Sequence, residues 1–225
     1  MSANDSGAPE KKENVFVSLL LNIVIPTIIL TNLSDEEYLG TVWGLVVALF
    51  FPIASGVYDL IRRRKFNLFS VLGVVSLLLT GVIGLVELDA QWLAIKEAAI
   101  PLIIGVVVIG SMRTKYPLVK MIFYNDTIMD LEKVDAALEE SGNQELFSSR
   151  LDHVTWMLAG SFFLSAVLNY VLARWVVVSE AGTEAFNEEL GRMIALSYPV
   201  IVVPSMIIMI VAMWYLFSSI KKLTG

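Results

Sequence analysis

Apolar positions in this chain gather into six long runs separated by short polar stretches: Asn14 to Leu33, Leu39 to Ile61, Phe66 to Val86, Trp92 to Met112, Val154 to Val178, and Gly191 to Ser219. About 20 apolar residues rising 1.5 Å each cross a hydrocarbon core about 30 Å thick, so each run is long enough to span a bilayer. The pattern predicts an all-α polytopic membrane bundle of six transmembrane helices. Two prolines in the last run, Pro199 and Pro204, predict tilt or a kink there. The polar residues 1–13 read as a disordered cytoplasmic tail, and residues 14–225 as the six-helix transmembrane domain. The first run continues to Leu33 and ends in Asn32-Leu33-Ser34-Asp35 rather than at a small-residue cleavage site, so the first helix is expected to be retained.

Between the fourth and fifth runs lies the loop 113–150. There Ile128, Leu131, Val134 and Leu138 recur at helical spacing, Asp126-Thr127 precedes them as a cap with Asp130 three residues after Thr127, and Gly142 follows as a stop. A short amphipathic helix is expected, its polar face acidic: Asp126, Asp130, Glu132, Asp135, Glu139 and Glu140 against Lys133. Such a face repels anionic headgroups, leaving a solvated helix at the end of the bundle or a docking face for a basic partner.

Charge orients the bundle. Lys11, Lys12, Arg62, Arg63, Arg64, Lys65, Arg113, Lys115, Lys120, Lys133, Arg150, Lys221 and Lys222 all fall on one side of a six-span path; of the sixteen basic residues only Lys96, Arg174 and Arg192 do not. Short cytoplasmic loops keep Lys and Arg, which puts both termini in the cytoplasm. Tyr38, Trp43, Trp92, Tyr116 and Trp175 sit near the ends of runs, where amphipathic rings favour the headgroup region. The cluster Arg62, Arg63, Arg64 and Lys65 reads as a topology anchor and phospholipid contact, with Asp59 pairing to it.

Composition agrees: 56% of the 225 residues are hydrophobic and the mean hydropathy is +0.73, above an ordinary soluble domain. A net charge of −6 argues against nucleic acid as a partner. Without cysteine, and with His153 the single histidine, disulfides, thiol catalysis and His- or Cys-based metal sites lack material. No phosphate-binding glycine loop or catalytic triad is visible; no enzyme activity and no cofactor or metal are expected.

Candidate chemistry is confined to polar groups within the apolar runs. Lys96 and Glu97 are ionisable residues in the fourth run. An ion within a span is costly and turns to the bundle interior unless, like a lysine roughly 6 Å from a helix end, it can snorkel. Neighbouring helix positions point about 100° apart, so partners are expected elsewhere: Glu87 or Asp89 for Lys96, Arg174 or Arg192 for Glu97, or another subunit. Pro26 and Pro101 stand four residues after Asn22 and Glu97, freeing those carbonyls in helices one and four. A polar site formed by the broken helices one and four, with Asn22, Lys96, Glu97 and Asn169 along a pathway, would describe a small transporter or channel. Ser76, Thr80, Ser161, Ser165, Ser197 and Ser205 read as helix-joining hydroxyls, and Gly44 with Ala48, Gly73, Gly105 and Gly110 as close-packing positions.

Four stretches carry a resemblance: Val57-Tyr58-Asp59-Leu60-Ile61-Arg62-Arg63-Arg64-Lys65, Asp89 through Trp92 to Lys96, Lys115-Tyr116-Pro117-Leu118, and Asn169-Tyr170 with Trp175. With them the chain, from about Leu19 to Ile220, resembles the intracellular septation protein A family of bacterial inner-membrane proteins, and more closely its septation-protein-like relatives. The resemblance implies a multi-pass inner-membrane protein without catalytic activity, acting in envelope biogenesis or cell division through contacts with division or elongation membrane proteins; a homo-oligomer is a separate expectation for the chain. The acidic insert Asp126 to Gln144 departs from that family, where a shorter basic connection is found.

Overall fold

The computed structural model describes residues 15–63, 68–114, 117–124 and 130–224, and the described residues form helices and their connections. Helix α1 runs through Val15–Leu19, a π turn at Leu20–Val24, and Ile25–Asn32; α2 is Gly40–Arg63, α3 Leu68–Leu85 and α4 Ala90–Ser111. Short α5 (Leu118–Phe123) and α6 (Leu131–Glu140) precede α7, Gln144–Val176. The last helix, α8, joins Glu184–Ser197, a second π turn at Tyr198–Val202, and Val203–Thr224. Four stretches are long and apolar enough to cross a membrane: Gly40–Tyr58, Ala90–Ser111, Gln144–Val176 and Glu184–Leu223. Phe16–Asn32 and Val71–Leu85 are shorter apolar helices. The expected tail, residues 1–13, lies outside the described residues, as do Asp126, Thr127, Arg64, Lys65 and Tyr116.

Two boundaries differ from the hydropathy reading. Helix α7 begins at Gln144, ten residues before Val154, because the amphipathic stretch that buries Phe147 and Leu151 continues the apolar face. Helix α8 begins at Glu184 because Thr183 caps it, its hydroxyl accepting from the Phe186 N–H, and Phe186, Asn187 and Leu190 are buried there. Mean hydropathy cannot see either segment, since one face of each is polar.

The helices touch as antiparallel neighbours. Gly105 of α4 lies against Phe162 and Phe163 of α7, so close that a Cβ would sit 2.8 Å from the Phe163 ring. Gly191 of α8 lies against Thr31 and Leu30 of α1, and the Thr27 hydroxyl donates to the Gly191 carbonyl at 3.5 Å. Gly44 of α2 meets Ser34 in the same way, whereas Gly73 and Gly110 face open space and are not packing positions. The core falls into two clusters. One, around Leu30, Leu45, Leu93, Ala173 and Phe186, ties α1, α2, α4, α7 and α8 at the end that carries the loops 33–39, 86–89 and 177–183. The other, around Val119, Leu138, Val154, Ala159 and Leu216, ties α5 and α6 to α7 and α8 at the opposite end. Much of the remaining apolar surface is exposed, including Phe50, Val106, Val167, Ile207 and Ile210. Exposed apolar side chains along long helices suit lipid rather than water.

Helices one and four are not the broken pair. Helix α4 continues as an α-helix through Pro101; the irregular helices are α1 and α8. In each, a π turn is closed by the residue before a proline, Ile25 N–H to the Leu20 carbonyl and Val203 N–H to the Tyr198 carbonyl. A proline lacks the amide hydrogen and crowds the preceding turn, and widening that turn by one residue relieves both problems. The two sites share a pattern, Ile-Val, a β-branched residue, Pro and a hydroxyl residue, as Ile23-Val24-Ile25-Pro26-Thr27 and Ile201-Val202-Val203-Pro204-Ser205. With Thr27 to Thr31 opposite Gly191, the antiparallel register sets both π turns at one depth.

Candidate functional site

Lys96 sits in the second turn of α4, and its side chain is 7% exposed. It does not snorkel. Its ammonium donates to the Thr80 hydroxyl at 2.6 Å, the Ser76 hydroxyl at 3.2 Å and the Ser76 carbonyl at 3.3 Å, all on α3, and to Glu97 Oε1 at 2.6 Å. The expectation that the two ions cannot face one another is corrected: the flexible lysine stem swings across the arc between adjacent positions, and Glu97 folds to meet it. The glutamate side chain is 23% exposed. The Thr80 hydroxyl in turn donates to the Ser76 carbonyl at 3.1 Å. The result is a bonded polar staple joining α3 to α4, worth more in an apolar surrounding than on a wet surface.

None of the partners expected from sequence takes part. Arg192 pairs with Glu188 at 3.1 Å, while Glu87, Asp89 and Arg174 line a separate cavity at the helix ends. Asn22 donates to the Ser18 hydroxyl one turn earlier, at 3.1 Å. Asn169 donates to the Ser165 carbonyl and hydroxyl at 2.8 and 3.2 Å. Counting eight residues each way from the Gly105 to Phe163 contact brings Asn169 within about one turn of the level of Glu97. Asn22 lies in the π turn of α1, and none of the four residues lines the cavity of Glu87 and Arg174 or the one beside Tyr124. Arg62 and Arg63 end α2, but their side chains, like those of Asp59 and the whole of Arg64 and Lys65, lie outside the described residues. His153 is exposed, its Nδ1 within 2.7 Å of the Ser149 carbonyl oxygen. No group of three or more His, Asp or Glu able to hold a metal ion occurs among the described residues.

Sequence reasoning missed a second buried network. Asn187, 2% exposed, donates to the Ser34 hydroxyl at 3.2 Å and the Thr41 carbonyl at 2.8 Å, locking the loop between α1 and α2 onto α8. Because Glu184 to Leu190 reads as a polar loop, Asn187 carries no signal until Phe186 and Leu190 are seen flanking it on one buried helical face. Glu189 was missed for the same reason. Its carboxylate accepts from the Val178 and Ser179 N–H groups at 2.9 and 2.8 Å and from the Ser179 hydroxyl at 2.8 Å, pinning the loop after α7.

At the other end, α6 is held fast. Asp130 caps it by accepting from Lys133 N–H, in place of the expected Asp126-Thr127 cap, and Gly142 ends it with φ +67°. Leu138 is buried; the Ser141 hydroxyl and the Asn143 amide both donate to the Leu223 carbonyl, at 2.9 and 3.1 Å, closing the C-terminal end of α8. Tyr124 donates to Asp135 at 2.6 Å, and burial, then that bond, push its hydroxyl well above the usual tyrosine range. The side-chain bond from Lys133 holds the Asp130 carboxyl below its ordinary range. Glu132, Glu139 and Glu140 remain exposed. No family model matches the chain, and no curated protein or solved structure matches it.

Proposed function

We propose that the chain is a six-span bacterial inner-membrane protein, both termini cytoplasmic, that acts as an interaction protein in envelope biogenesis or cell division and carries no catalytic activity. The observation that carries this reading is α6: a helix fastened to the bundle through Leu138, Tyr124, Ser141 and Asn143, with Glu132, Glu139 and Glu140 turned to solvent. A solvated loop has no need of such fastening, whereas a rigidly presented acidic face suits a basic juxtamembrane segment of a partner. Two features support the topology. The end bearing α6 also carries Arg113, Lys120, Arg150, Lys221 and Lys222, while the opposite loops carry Asp35, Glu36, Glu37, Glu87, Asp89 and Glu180; and Tyr38, Trp43, Trp92 and Trp175 are exposed at that opposite end. The shorter helices α1 and α3 complete six spans. The resemblance to the septation proteins points to division or elongation membrane proteins as partners, and a second copy of the chain is the other candidate.

The transporter reading, with a pathway through Asn22, Lys96, Glu97 and Asn169, draws less support, since Asn22 and Asn169 each bond within their own helix and Lys96 and Glu97 bond within the α3–α4 pair. A photo-crosslinking residue at Ala136, exposed on α6, tests the proposal in dividing cells. Adducts with a division or elongation protein at a basic segment, lost on changing Glu139 and Glu140 together to Lys, are expected. Adducts indifferent to that charge reversal would refute it.

A further inference from the structure

We propose that the cavity at the end opposite α6 binds a zwitterion that joins a primary ammonium to a phosphate, the chemistry of an ethanolamine phospholipid headgroup. The cavity measures about 560 Å³ and is walled by the loops 87–90 and 177–181 with Arg174 of α7, a size suited to a small ligand. Four charged side chains line it, the carboxylates of Glu87, Asp89 and Glu180 and the guanidinium of Arg174. They have not neutralised one another: among the described residues the ion pairs involve none of the four, and the side chains of Glu87, Glu180 and Arg174 make no hydrogen bond. Unpaired opposite charges sharing one concavity are arranged for a ligand that carries both signs.

The walls are built rather than loose. Glu189 fixes the far loop through its three hydrogen bonds to Val178 and Ser179. Asp89 is set by capping α4, one oxygen accepting from Gln91 N–H at 2.7 Å. Glu87 lies against Gly182 so closely that a Cβ there would stand 2.7 Å from Glu87 Cγ. Depth supports a lipid source. Trp92 and Trp175 flank the cavity on α4 and α7, 57% and 77% exposed, and Val178 on its rim is 71% exposed; indole rings favour the headgroup layer. A headgroup seated here would leave its acyl chains along the exposed apolar faces of the same two helices.

The charge balance sets the selectivity. Three carboxylates against one guanidinium make the lining net negative, which repels an anionic glycerol headgroup. A primary ammonium carries three N–H donors for the carboxylates while Arg174 takes the phosphate; a choline headgroup has the same charges and no N–H to donate.

Native mass spectrometry of the full chain with defined phosphatidylethanolamine, phosphatidylcholine and phosphatidylglycerol tests this. Ethanolamine lipid should be retained about tenfold more than either competitor, the low end of what one charge-assisted hydrogen bond is worth, as suits an open site. Glu87→Gln with Glu180→Gln should erase the preference over choline, and Arg174→Gln should lower ethanolamine-lipid retention, while Glu36→Gln, outside the cavity at the same end, should change nothing. Thermal stability of each variant separates lost binding from lost folding. Displacement by soluble phosphoethanolamine would assign the site to the free zwitterion, and resistance to it to the lipid. Equal retention of the three lipids, preference for the glycerol lipid, or a preference that survives both carboxylate changes would overturn the proposal.

Discussion

Replacing Lys96 with Met isolates the contribution of the polar staple between α3 and α4. The variant removes three donations onto α3, one short at 2.6 Å and two longer at 3.2 and 3.3 Å. Polar contacts between membrane helices average about 0.6 kcal/mol and reach about 1.7, so these three sum to roughly 2 to 3 kcal/mol. It also strands Glu97. Removing one member of a buried pair costs about 3 to 5 kcal/mol, a figure that must be discounted here because water reaches part of the glutamate. The expected loss is about 3 to 5 kcal/mol. Changing Glu97 to Gln as well should recover the part due to the stranded carboxylate, while the Thr80 hydroxyl keeps its bond to the Ser76 carbonyl in both variants. Reversible unfolding in bicelles, for the two single variants and the double, measures the coupling. A loss below about 1 kcal/mol for Lys96→Met, or a double variant whose loss equals the sum of the singles, would refute the staple.

Other substitutions test the packing and the second network. Gly105→Leu should destabilise by about 1 to 3 kcal/mol because the space is filled by Phe162 and Phe163, whereas Gly110→Ala, facing open space, should be neutral or stabilising by about 0.5 kcal/mol through helix propensity alone; thermal unfolding of both in one detergent distinguishes them. Asn187→Ala removes the two bonds to Ser34 and Thr41 and should cost about 1 to 3 kcal/mol, with amide exchange rising first in the loop 33–39. The cap on α6 should weaken with acid: Asp130 has a lowered folded pKa, so its contribution is present above the ordinary aspartate value and is lost as pH falls through the lowered one. Protection against hydrogen exchange across Leu131 to Val134, taken relative to the intrinsic amide rate at each pH, should fall below about pH 4, and Asp130→Asn should remove that dependence; protection unchanged by pH would contradict the assignment of Asp130 as the cap.

Sequence pattern is most informative where a helix is apolar all round. Runs of apolar residues locate α2, α4 and the central part of α7 because lipid-facing and bundle-facing positions are apolar alike. It fails where only one face is apolar. The first turns of α7 and α8 carry Glu145, Arg150, Glu184 and Glu188 beside buried Phe147, Phe186 and Leu190, and averaging hydropathy cancels the two faces. Proline position was a true signal for α1 and α8 and a false one for α4, since whether the helix widens into a π turn or simply runs on depends on neighbours that no single-helix pattern contains. Lys96 was legible as an unusual residue but its partners were not. Ser76 and Thr80 are one turn apart on α3, a spacing too common in apolar helices to stand out until the lysine is seen reaching them. The charges of Glu87, Asp89 and Arg174 stand out in the sequence, but they line one cavity together instead of reaching Lys96 and Glu97. Their meeting depends on the antiparallel pairing of α4 with α7.

A bilayer surrounding this bundle puts α6 on one side and the cavity of Glu87 and Arg174 on the other. Because the chain contains no cysteine, single cysteines placed at Glu139 and at Glu180 report sidedness without background. A membrane-impermeant maleimide applied to spheroplasts should label Glu180→Cys at once and Glu139→Cys only after permeabilisation. Labelling of both in intact spheroplasts, or of Glu139→Cys alone, would contradict it.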